Sequence, residues 1–463
     1  MSSQLQPIPE EQSQPQPQNQ LVFVKSGKVR DIYEYYNNQM IFQHSNRLSA
    51  YDSHICDIPN KGAILNYTNA YWMNLTKHII PNHYVWHSGS VLVSRKCTPI
   101  LLEVIVRGYI TGSSSTSLWT LYKEGKHSVY GITLPEGLQQ HQRLSEPVVT
   151  PTTKGEHDIP CDDAYITNPD NKLLNAEQWA YVKQKALELY TFGAQVAASK
   201  GLILVDTKYE FGVDNETGEI ILIDECHTCD SSRYWIADSY EERIGANQSP
   251  QSLDKDQVRR WIDSNYPEFK KTALEHRPKL VIPEKERQSV SKTYQALYER
   301  LTDNTNTPFS EMSTNIGEIY NYYLQEMSPV VLIYSGSTSD QPFINKLLEN
   351  GMNQGLNTQV RFGSAHKEIE KVFGYIQQIR EWQKQGRRMV IIAVAGLSNA
   401  LGGCLAGNLP GVPVLNVPPL KDNTDIMVNL GSSMMMPRNV PAPTILHPGN
   451  AMIFARNVLR MGV

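Results

Sequence analysis

The stretch LILVDTKYEFGVDNETGEIILIDE occupies residues 202–225 and carries the clearest structural signal in the chain. Two apolar runs flank the segment DNETG, whose Asp, Asn and Gly residues suit a tight turn, so the pattern predicts a β-hairpin. The preceding residues 173–200 have the apolar spacing of a helix, which Gly201 ends. A helix leading into antiparallel strands is typical of an α+β domain.

Charged residues lie on this hairpin in positions that would bring them together. Asp206, Lys208 and Glu210 alternate along the first strand and therefore share a face. Asp224 and Glu225 follow the second strand. Converging carboxylates repel unless a cation lies between them, and hard oxygen ligands suit Mg²⁺ bound to nucleotide phosphates. The alternative is an exposed polar strand face, against which the apolar run before Asp224 argues.

Working outward toward the amino terminus, KSGKVRD places basic residues around Gly27. Lys28 and its neighbours could hold phosphates, although a solvated hairpin with scattered charge is the commoner explanation. The loop RLSAYDSH contains Ser49 and Asp52, and EVIVRGYITGSS places Arg107 at the end of an apolar strand. Because a guanidinium fork suits phosphate or carboxylate, Arg107 is a candidate anion ligand.

Cys226, His227 and Cys229 form a CxxC motif with an internal histidine. A zinc site needs a second ligand pair at suitable spacing, and a redox motif needs a βαβ context. Neither is evident in the sequence, so we interpret these cysteines as incidental.

From residue 328 the pattern changes to short apolar strands that are each followed by small residues: VVLIY then SGSTSD, MVIIAVAG then LSNALGG, and VPVLNV then PP. Wholly apolar, β-branched strands of this kind are typical of a parallel sheet covered by helices. In such folds ligands bind at the carboxyl ends of the strands.

Three loops at those strand ends carry candidate residues. The SGSTSD loop could bind an anion through backbone N–H and hydroxyl groups, or could simply cap a helix. The loop SAHK contains His366, and histidine has a reference pKa of ~6.5 that suits proton transfer, although a lone histidine is more often structural. The third loop, AGLSNALGG, is rich in glycine. Convergence of the three on one edge favours a binding site.

Length and composition exclude several classes of protein. At roughly 100 to 200 residues per domain, 463 residues predict about two to four domains. A net charge of -4 provides no global basic field for binding a nucleic acid polymer, and no apolar run reaches the ~20 residues of a membrane span. Six cysteines without a secretory signal favour the reducing cytoplasm.

The domain organisation can be predicted from local composition. Residues 1–20 contain seven Gln and four Pro, so we expect a disordered arm. A first domain over 21–303 would end in a helix at 282–303, followed by a linker over 304–327 and a second domain over 328–463.

Four motifs follow one another in the second half of the chain: GSTSD, SAHK, AVAGLSNALGG and PVLNVPP. In this order they resemble the aminoimidazole ribonucleotide (AIR) carboxylase family of purine synthesis, over nearly all of 328–463. The resemblance implies a three-layer α/β/α parallel-sheet domain, Rossmann-like or flavodoxin-like, and a homo-octamer formed through it. SAHK and GLSN are similar to the class that carboxylates AIR directly with carbon dioxide, not to the N5-carboxyaminoimidazole ribonucleotide mutases. No biotin is needed.

The same resemblance implies that His366 moves the C4 proton of AIR and that Lys367 helps to place carbon dioxide. The implied ligands of AIR and carbon dioxide are Gly336, Ser337, Ser339, Asp340, Ser364, Gly396, Ser398 and Asn399.

A series of motifs occurs in this order over about 21–303: GKVRDIY, RLSAYD, LEVIVRGYITGS, LPEGL, TPTTKGEHD, DTKYEFG, LIDE, DSSRYW and SLDKDQVRRW. Together they resemble the phosphoribosylaminoimidazole-succinocarboxamide (SAICAR) synthetase family. The resemblance implies antiparallel sheets with helices, of the ATP-grasp or kinase-like type. That family joins the carboxylate of carboxy-AIR (CAIR) to L-aspartate, with ATP and Mg²⁺, through an acyl phosphate.

This second resemblance implies that ATP is bound by Gly27, Lys28 and Glu103, that Mg²⁺ is held by Glu210 and Asp224, and that Lys208 and Asp206 act in catalysis. The implied ligands of the ribotide or of aspartate are Ser49, Asp52, Arg107, Ser113, Arg233, Lys255 and Arg259.

Four residues depart from the SAICAR synthetase pattern. Asn60 stands where Gly is typical, Cys229 stands where Pro is typical, and Pro250-Gln251 reverses the usual order. We expect these changes to affect loop geometry more than chemistry. The whole chain is expected to be bifunctional, with partners limited to small molecules and no membrane; the alternatives are a carboxylase-like domain that is an inactive oligomerisation scaffold, or a mutase.

Overall fold

The computed structural model describes residues 21–35, 39–51, 53–155, 158–253, 256–396, 399–420 and 426–461. The chain divides between Ile316 and Gly317 into two compact units, called here the first and second units. The predicted arm at 1–20 lies outside the described residues.

Fifteen strands are described in the first unit: β1 (Val22–Ser26), β2 (Arg30–Tyr35), β3 (Gln39–His44), β4 (Arg47–Ala50), β5 (Ser53–Asp57), β6 (Tyr84–Ser88), β7 (Val91–Arg95), β8 (Cys97–Pro99), β9 (Leu102–Tyr109), β10 (Ser128–Val129), β11 (Ile132–Thr133), β12 (Arg143–Thr153), β13 (Leu202–Asp214), β14 (Ile220–Ile223) and β15 (Ser232–Ile236). Its described helices are α1 (Lys61–Thr76), α2 (Leu118–Lys123), α3 (Asp163–Thr167), α4 (Ala176–Ser199), α5 (Tyr240–Gly245), α6 (Asp256–Asn265) and α7 (Glu284–Thr302), with 3-10 turns at Pro169–Asn171, Phe269–Lys271, Leu274–His276 and Phe309–Glu311.

Antiparallel pairing builds the sheets of the first unit. One five-stranded sheet has the order β1-β2-β3-β7-β6, and a six-stranded sheet has the order β12-β9-β13-β14, with β15 and β8 also paired to β13. The predicted hairpin is confirmed, since β13 and β14 pair with Glu210 opposite Ile223. The long strand β13 is therefore central to the six-stranded sheet, where it pairs with four other strands.

The predicted helix before this hairpin is also confirmed. Asn175 and Gln178 form a capping box at the start of α4. The helix then buries Trp179, Val182 and Leu189 in the main core, which also contains Leu204 of β13. The spacing of these residues follows the 3.6-residue period that predicted the helix.

From the boundary between the units onward, the chain forms α8 (Ile316–Tyr322), a π-helical turn (Tyr323–Met327), β16 (Val330–Ser335), a 3-10 turn (Thr338–Asp340), α9 (Gln341–Asn353), β17 (Thr358–Phe362), α10 (Ile369–Lys384), β18 (Met389–Val394), α11 (Ala400–Asn408), β19 (Val414–Asn416), a π-helical turn (Ile426–Leu430), α12 (Gly431–Met434) and α13 (Pro448–Arg460). The four strands pair in parallel in the order β17-β16-β18-β19.

Helices cover both faces of this parallel sheet. Leu332 and Ile391 lie in a core cluster with residues of α10 and α11, whereas Val331 and Ile333 lie in a cluster with residues of α9 and α13. Alternate residues of each strand thus enter opposite layers. The predicted three-layer α/β/α domain is confirmed.

The segment 304–327, predicted as a linker, contains α8 and the π-helical turn that follows it. The buried guanidinium of Arg387 binds this turn and the residue after it: its Nη2 donates to Leu324 O at 3.1 Å and its Nε donates to Ser328 O at 2.8 Å. The same guanidinium lies 4.2 Å from the ring centroid of Trp382, whose Nε1 donates to Glu326 at 2.7 Å.

Within the described ranges, no helix combines the length and the apolar character that crossing a bilayer requires.

Candidate active sites

A charged cluster in the first unit is centred on Glu210 of β13. Lys208 Nζ lies 2.8 Å from Glu210 Oε1 and 2.7 Å from Glu103 Oε1 of β9. Lys154, directly after β12, donates to Glu210 Oε2. Because β9 pairs with both β12 and β13, side chains from all three segments reach one place. Both oxygens of a carboxylate that is only 6% exposed are therefore held by ammonium groups.

The end of β14 brings two further carboxylates to this region. Asp224 has a φ of 66°, so the chain turns sharply after the strand. Arg30 of β2 donates to Asp224 and lies 3.7 Å from Glu225 Oε1. Arg30 therefore connects the five-stranded sheet to the end of the hairpin.

These neighbouring charges shift the pKa of each group. Burial acts to raise the pKa of Asp224, but Arg30 and Lys208 outweigh it and hold that pKa well below its ordinary value. Burial acts to lower the pKa of Lys208, yet the surrounding carboxylates raise it well above the usual range. The pKa of Glu225 is raised, chiefly by burial. At neutral pH, Asp224 and Lys208 are both charged.

A second group of buried ion pairs surrounds Asp206. Its Oδ2 accepts hydrogen bonds from Arg107 Nη1 at 3.0 Å and from Arg233. The strand register accounts for this, since Asp206 lies opposite Arg107 of β9 and Arg233 of β15. Burial lowers the pKa of Arg107, with Asp206 opposing the shift. Two guanidinium groups around one carboxylate leave an excess of positive charge, which suits an anionic ligand.

The predicted metal ligands Glu210 and Asp224 fit a Mg²⁺ ion that is bound together with a nucleotide. Magnesium in nucleotide sites takes one or two carboxylates, together with phosphate oxygens and water. Among the residues that the structure describes, no group of three or more His, Cys, Asp or Glu side chains could hold a metal. Glu210 and Asp224 already pair with Lys154 and Arg30, so a Mg²⁺ ion held by them would take its remaining ligands from nucleotide phosphates and water.

The predicted ATP-binding residues Gly27 and Lys28 lie in the turn between β1 and β2. Gly27 N donates to Arg30 O at 2.7 Å, and a Cβ at Gly27 would lie 3.1 Å from that oxygen. Because Arg30 also binds Asp224, this turn is tied to the carboxylate end of the hairpin.

The other predicted ligands of the first unit lie on separate segments. Ser113 follows Gly112, where a Cβ would lie 3.6 Å from Arg233 Nη2, so its loop adjoins the Asp206 group. Ser49 lies on β4 and Arg259 on α6. Two further predicted ligands lie outside the described residues: Asp52 and Lys255.

In the second unit, three loops leave the same edge of the parallel sheet. Ser335, the last residue of β16, pairs with Phe362 of β17 and with Val394 of β18. The loops after these strands therefore begin side by side, and the predicted convergence is confirmed.

The loop after β16 both caps a helical turn and leaves backbone exposed. Ser337 Oγ accepts from Ser339 N at 3.2 Å, and Ser335 Oγ donates to the buried Asp340 at 3.1 Å. A Cβ on Gly336 would meet no atom within 4 Å. Both readings of the motif thus have structural support: a cap, and an open backbone that a ligand could approach.

The loop after β17 presents two side chains to solvent. Ser364 Oγ accepts from the backbone N–H groups of His366 and Lys367, each at 3.3 Å. The side chains of His366 and Lys367 are exposed. Ser364 therefore shapes the turn that carries the predicted proton carrier.

Asn399 lies at the start of α11, after the third loop. Its Oδ1 accepts from Gly402 N at 2.9 Å and its Nδ2 donates to Ser433 Oγ at 3.1 Å, so both polar groups bond within the chain. At Gly396, a Cβ would lie 3.4 Å from Asn429 Nδ2. Ser398 lies outside the described residues.

Lys154 is a residue of the Glu210 cluster that sequence reasoning missed. It lies within the TPTTKGEHD motif, but nothing local connects it to Glu210. The connecting signal is the pairing of β12 with β9, which brings Thr152 opposite Glu103. A prediction of that long-range pairing would have identified Lys154 as a neighbour of Glu210.

The departures from the family pattern have visible consequences. Asn60 has a φ of 61°, the left-handed region that favours Gly and tolerates Asn. Cys226 and Cys229 are buried free thiols, and the buried His227 contacts Tyr209 rather than either cysteine in the hydrogen bonds described. In the described part of the chain this motif forms no metal-binding group.

The chain thus combines antiparallel sheets that gather buried ion pairs with a parallel sheet that carries polar loops at one edge. The family model for SAICAR synthetase matches residues 23–275, and the model for AIR carboxylase matches residues 330–462. The chain belongs to the SAICAR synthetase family, ligases of purine biosynthesis, and carries an additional AIR carboxylase-family domain.

Individual relatives agree with this assignment. A phosphoribosylaminoimidazole-succinocarboxamide synthase of Legionella pneumophila is 41% identical over 278 residues, covering 60% of this chain and 86% of that protein. The chloroplastic enzyme of Vigna aconitifolia is 43% identical over 260 residues, covering 56% of this chain and 75% of that protein. The structure of Saccharomyces cerevisiae SAICAR synthase in complex with SAICAR is 32% identical, with a TM-score of 0.52 over 63% of this chain and 98% of that one.

Proposed function

We propose that the chain is a bifunctional enzyme that performs two consecutive steps of purine biosynthesis. The second unit carboxylates AIR with carbon dioxide to give CAIR, and the first unit joins CAIR to L-aspartate with ATP to give SAICAR. The observation that carries the ligase assignment is the cluster of Glu210, Lys208, Asp224 and Arg30 in a member of the SAICAR synthetase family.

The ligase step needs activation, because a carboxylate resists attack by an amine. A carboxylate oxygen of CAIR attacks the γ-phosphoryl group of ATP, which gives an acyl phosphate and ADP. The aspartate amine then attacks the acyl carbon, phosphate leaves, and a proton is released. Gly27 and Lys28 bind the ATP phosphates. The raised pKa of Lys208 keeps this residue protonated, so it serves as a fixed positive charge rather than a base.

Glu210 and Asp224 hold Mg²⁺, which when bound neutralises phosphate charge. Glu103 lies beside the adenine, and its 2.7 Å contact with Lys208 places it at the border of the same cluster.

The Asp206 group binds the substrate anions. Arg107 and Arg233 are held in place by Asp206 and supply the donors, with Ser113 on the adjoining loop. The remaining proposed ligands of the ribotide or of aspartate are Ser49, Asp52, Lys255 and Arg259.

The carboxylase step needs no activated carbon dioxide, because aminoimidazole is an electron-rich nucleophile. C4 of AIR attacks carbon dioxide, and His366 takes the C4 proton. Lys367 stabilises the carboxylate that forms. The ribotide lies against Gly336, Ser337, Ser339 and Asp340, and the remaining proposed ligands are Ser364, Gly396, Ser398 and Asn399. The common edge of the three loops supports this arrangement.

One experiment on the full chain tests both steps. AIR and bicarbonate without ATP should yield CAIR, and adding Mg-ATP and aspartate should convert it to SAICAR. No CAIR without ATP would contradict the carboxylase proposal and favour an inactive scaffold. Product only from N5-carboxylated AIR would favour the mutase alternative.

The second unit exposes apolar side chains that support an oligomer. Met427, Met434 and Met435 are 81%, 67% and 83% exposed. Burying such surface between copies is favourable. We expect a homo-octamer, and light scattering that gave the mass of a single chain would contradict it.

A further inference from the structure

Arg47 contacts the turn between β1 and β2 through several hydrogen bonds. Its Nη2 donates to Gly27 O at 3.1 Å, and its Nε donates to Lys28 O at 3.3 Å. The same Nη2 lies 2.8 Å from Asp31 Oδ1 and 3.4 Å from Ser26 Oγ. One guanidinium thus joins two consecutive carbonyls of the turn and the start of β2.

These contacts orient two peptide groups. In a planar trans peptide, the carbonyl oxygen and the following N–H point in opposite directions. Because the carbonyls of Gly27 and Lys28 point toward Arg47, the N–H groups of Lys28 and Val29 point away from it. Two successive N–H groups directed to one side form a concavity that suits an anion.

We propose that Arg47 is a positioning residue of the ligase, which holds this turn so that the N–H groups of Lys28 and Val29 face the ATP phosphates. The inference rests on the ligase function proposed above. Asp31 fixes the guanidinium by an ion pair at 2.8 Å. Arg47 is also the first residue of β4, which carries Ser49, so the ATP turn and a proposed substrate segment are joined.

The test uses the full chain with the substitutions Arg47→Gln and Arg47→Lys. We expect Arg47→Gln to raise the KM for ATP by ~10- to 100-fold, because two or three hydrogen bonds at about tenfold or less each are lost. The kcat and the KM for CAIR and aspartate should change by less than about threefold. Lysine keeps the positive charge but lacks the planar fork of donors, so the KM for ATP of Arg47→Lys should fall between those of the wild type and Arg47→Gln.

Arg95→Gln is the matched control. Arg95 lies on β7, in the five-stranded sheet that also contains β1 and β2, and is 31% exposed, against 29% for Arg47. It likewise donates to a carboxylate, Asp214 at 2.7 Å, and to the carbonyl of Asn82, but no contact with the turn is described for it. Its KM for ATP should stay within about twofold of the wild type.

Calorimetric binding of Mg-ADP and amide exchange of Lys28 and Val29 give a readout independent of turnover. Bound Mg-ADP should slow exchange at both amides in the wild type and far less in Arg47→Gln. An unchanged affinity for the nucleotide in Arg47→Gln, or equal increases in all three KM values, would overturn the inference. Absence of ligation by the wild type would instead contradict the proposed function, and the binding result would still decide the role of Arg47.

Discussion

At the scale of single residues, Asn60 shows how backbone conformation selects a side chain. It precedes Lys61, whose buried Nζ lies 2.7 Å from Asp230 Oδ2. The left-handed conformation of Asn60 begins α1 at the point where Lys61 can enter the core. Asn tolerates this left-handed conformation, which Gly, the residue typical of the family at this position, adopts without strain.

Asn60→Ala should lower the free energy of unfolding by about 1 kcal/mol, because a Cβ without a compensating polar group is unfavourable at positive φ. Asn60→Gly should change it by less than ~0.5 kcal/mol. Chemical denaturation of the full chain measures both. Equal stability of the two variants would show that the conformation of residue 60 imposes no cost.

Buried neutral histidines make the first unit sensitive to acid. Burial lowers the pKa of His83 to about 4 and that of His227 to about 3. Unfolding restores a pKa of ~6.5, so the unfolded chain binds more protons below that pH. The stability from each histidine is therefore present above pH ~6.5 and falls between pH ~6.5 and ~4, by up to about 1.4 kcal/mol per pH unit.

His227→Gln should lower the number of protons taken up on unfolding by about one, and so reduce the slope of stability against pH. The measurement is the free energy of unfolding at pH 7, 6 and 5, followed by tryptophan fluorescence. The control is His276→Gln, since His276 is 75% exposed, and it should leave the slope as in the wild type. An unchanged slope in His227→Gln would contradict the assignment.

At the scale of elements, α11 packs against β19 through a glycine. A Cβ on Gly402 would lie 2.0 Å from Asn416 Oδ1, whereas a Cβ on Gly407 of the same helix would lie 3.8 Å from Val440. Gly402→Ala should lower the stability of the second unit by about 2 to 3 kcal/mol. Gly407→Ala should be neutral or stabilise it by up to ~1 kcal/mol. Calorimetry of the full chain compares the two, and similar melting would contradict this packing.

Local periodicity was sufficient to predict the principal elements. Apolar spacing or turn residues predict the hairpin of β13 and β14, helix α4 and the parallel strands β16 and β18. Pairing between distant segments has no such local signal. The approach of Lys154 to Glu210, and of Arg30 to Asp224, depends on the packing of sheets and could not be predicted.

At the scale of the whole molecule, two compact units place the two proposed sites on separate folds. Asp224→Asn should reduce ligation by at least about 1000-fold and leave carboxylation within about twofold. His366→Ala should do the reverse. Assays of each step with its own substrate measure this, with Glu216→Gln in the exposed hairpin turn as a control. Loss of both reactions in a folded variant would contradict separate sites.

The candidate sites were predictable to different depths. Alternation along a predicted strand led to the hairpin carboxylates, and the ends of predicted strands led to the three loops of the second unit. Within each unit the observed strand register agrees with that expectation. The partners that balance those charges were not predictable, because a salt bridge such as Arg107 with Asp206 joins residues far apart in the chain. The assignment of the site residues remains a prediction that the substitutions above test.

The buried guanidinium of Arg387 has a practical consequence for expressing the second unit alone. A truncated protein that began at Val330 would lose the carbonyls of Leu324 and Ser328 that this guanidinium binds. A buried charge without acceptors costs on the order of several kcal/mol, so such a fragment would be prone to aggregate. A fragment that starts at or before Gly317 keeps these hydrogen bonds to Arg387 and is the better choice for producing this half of the chain.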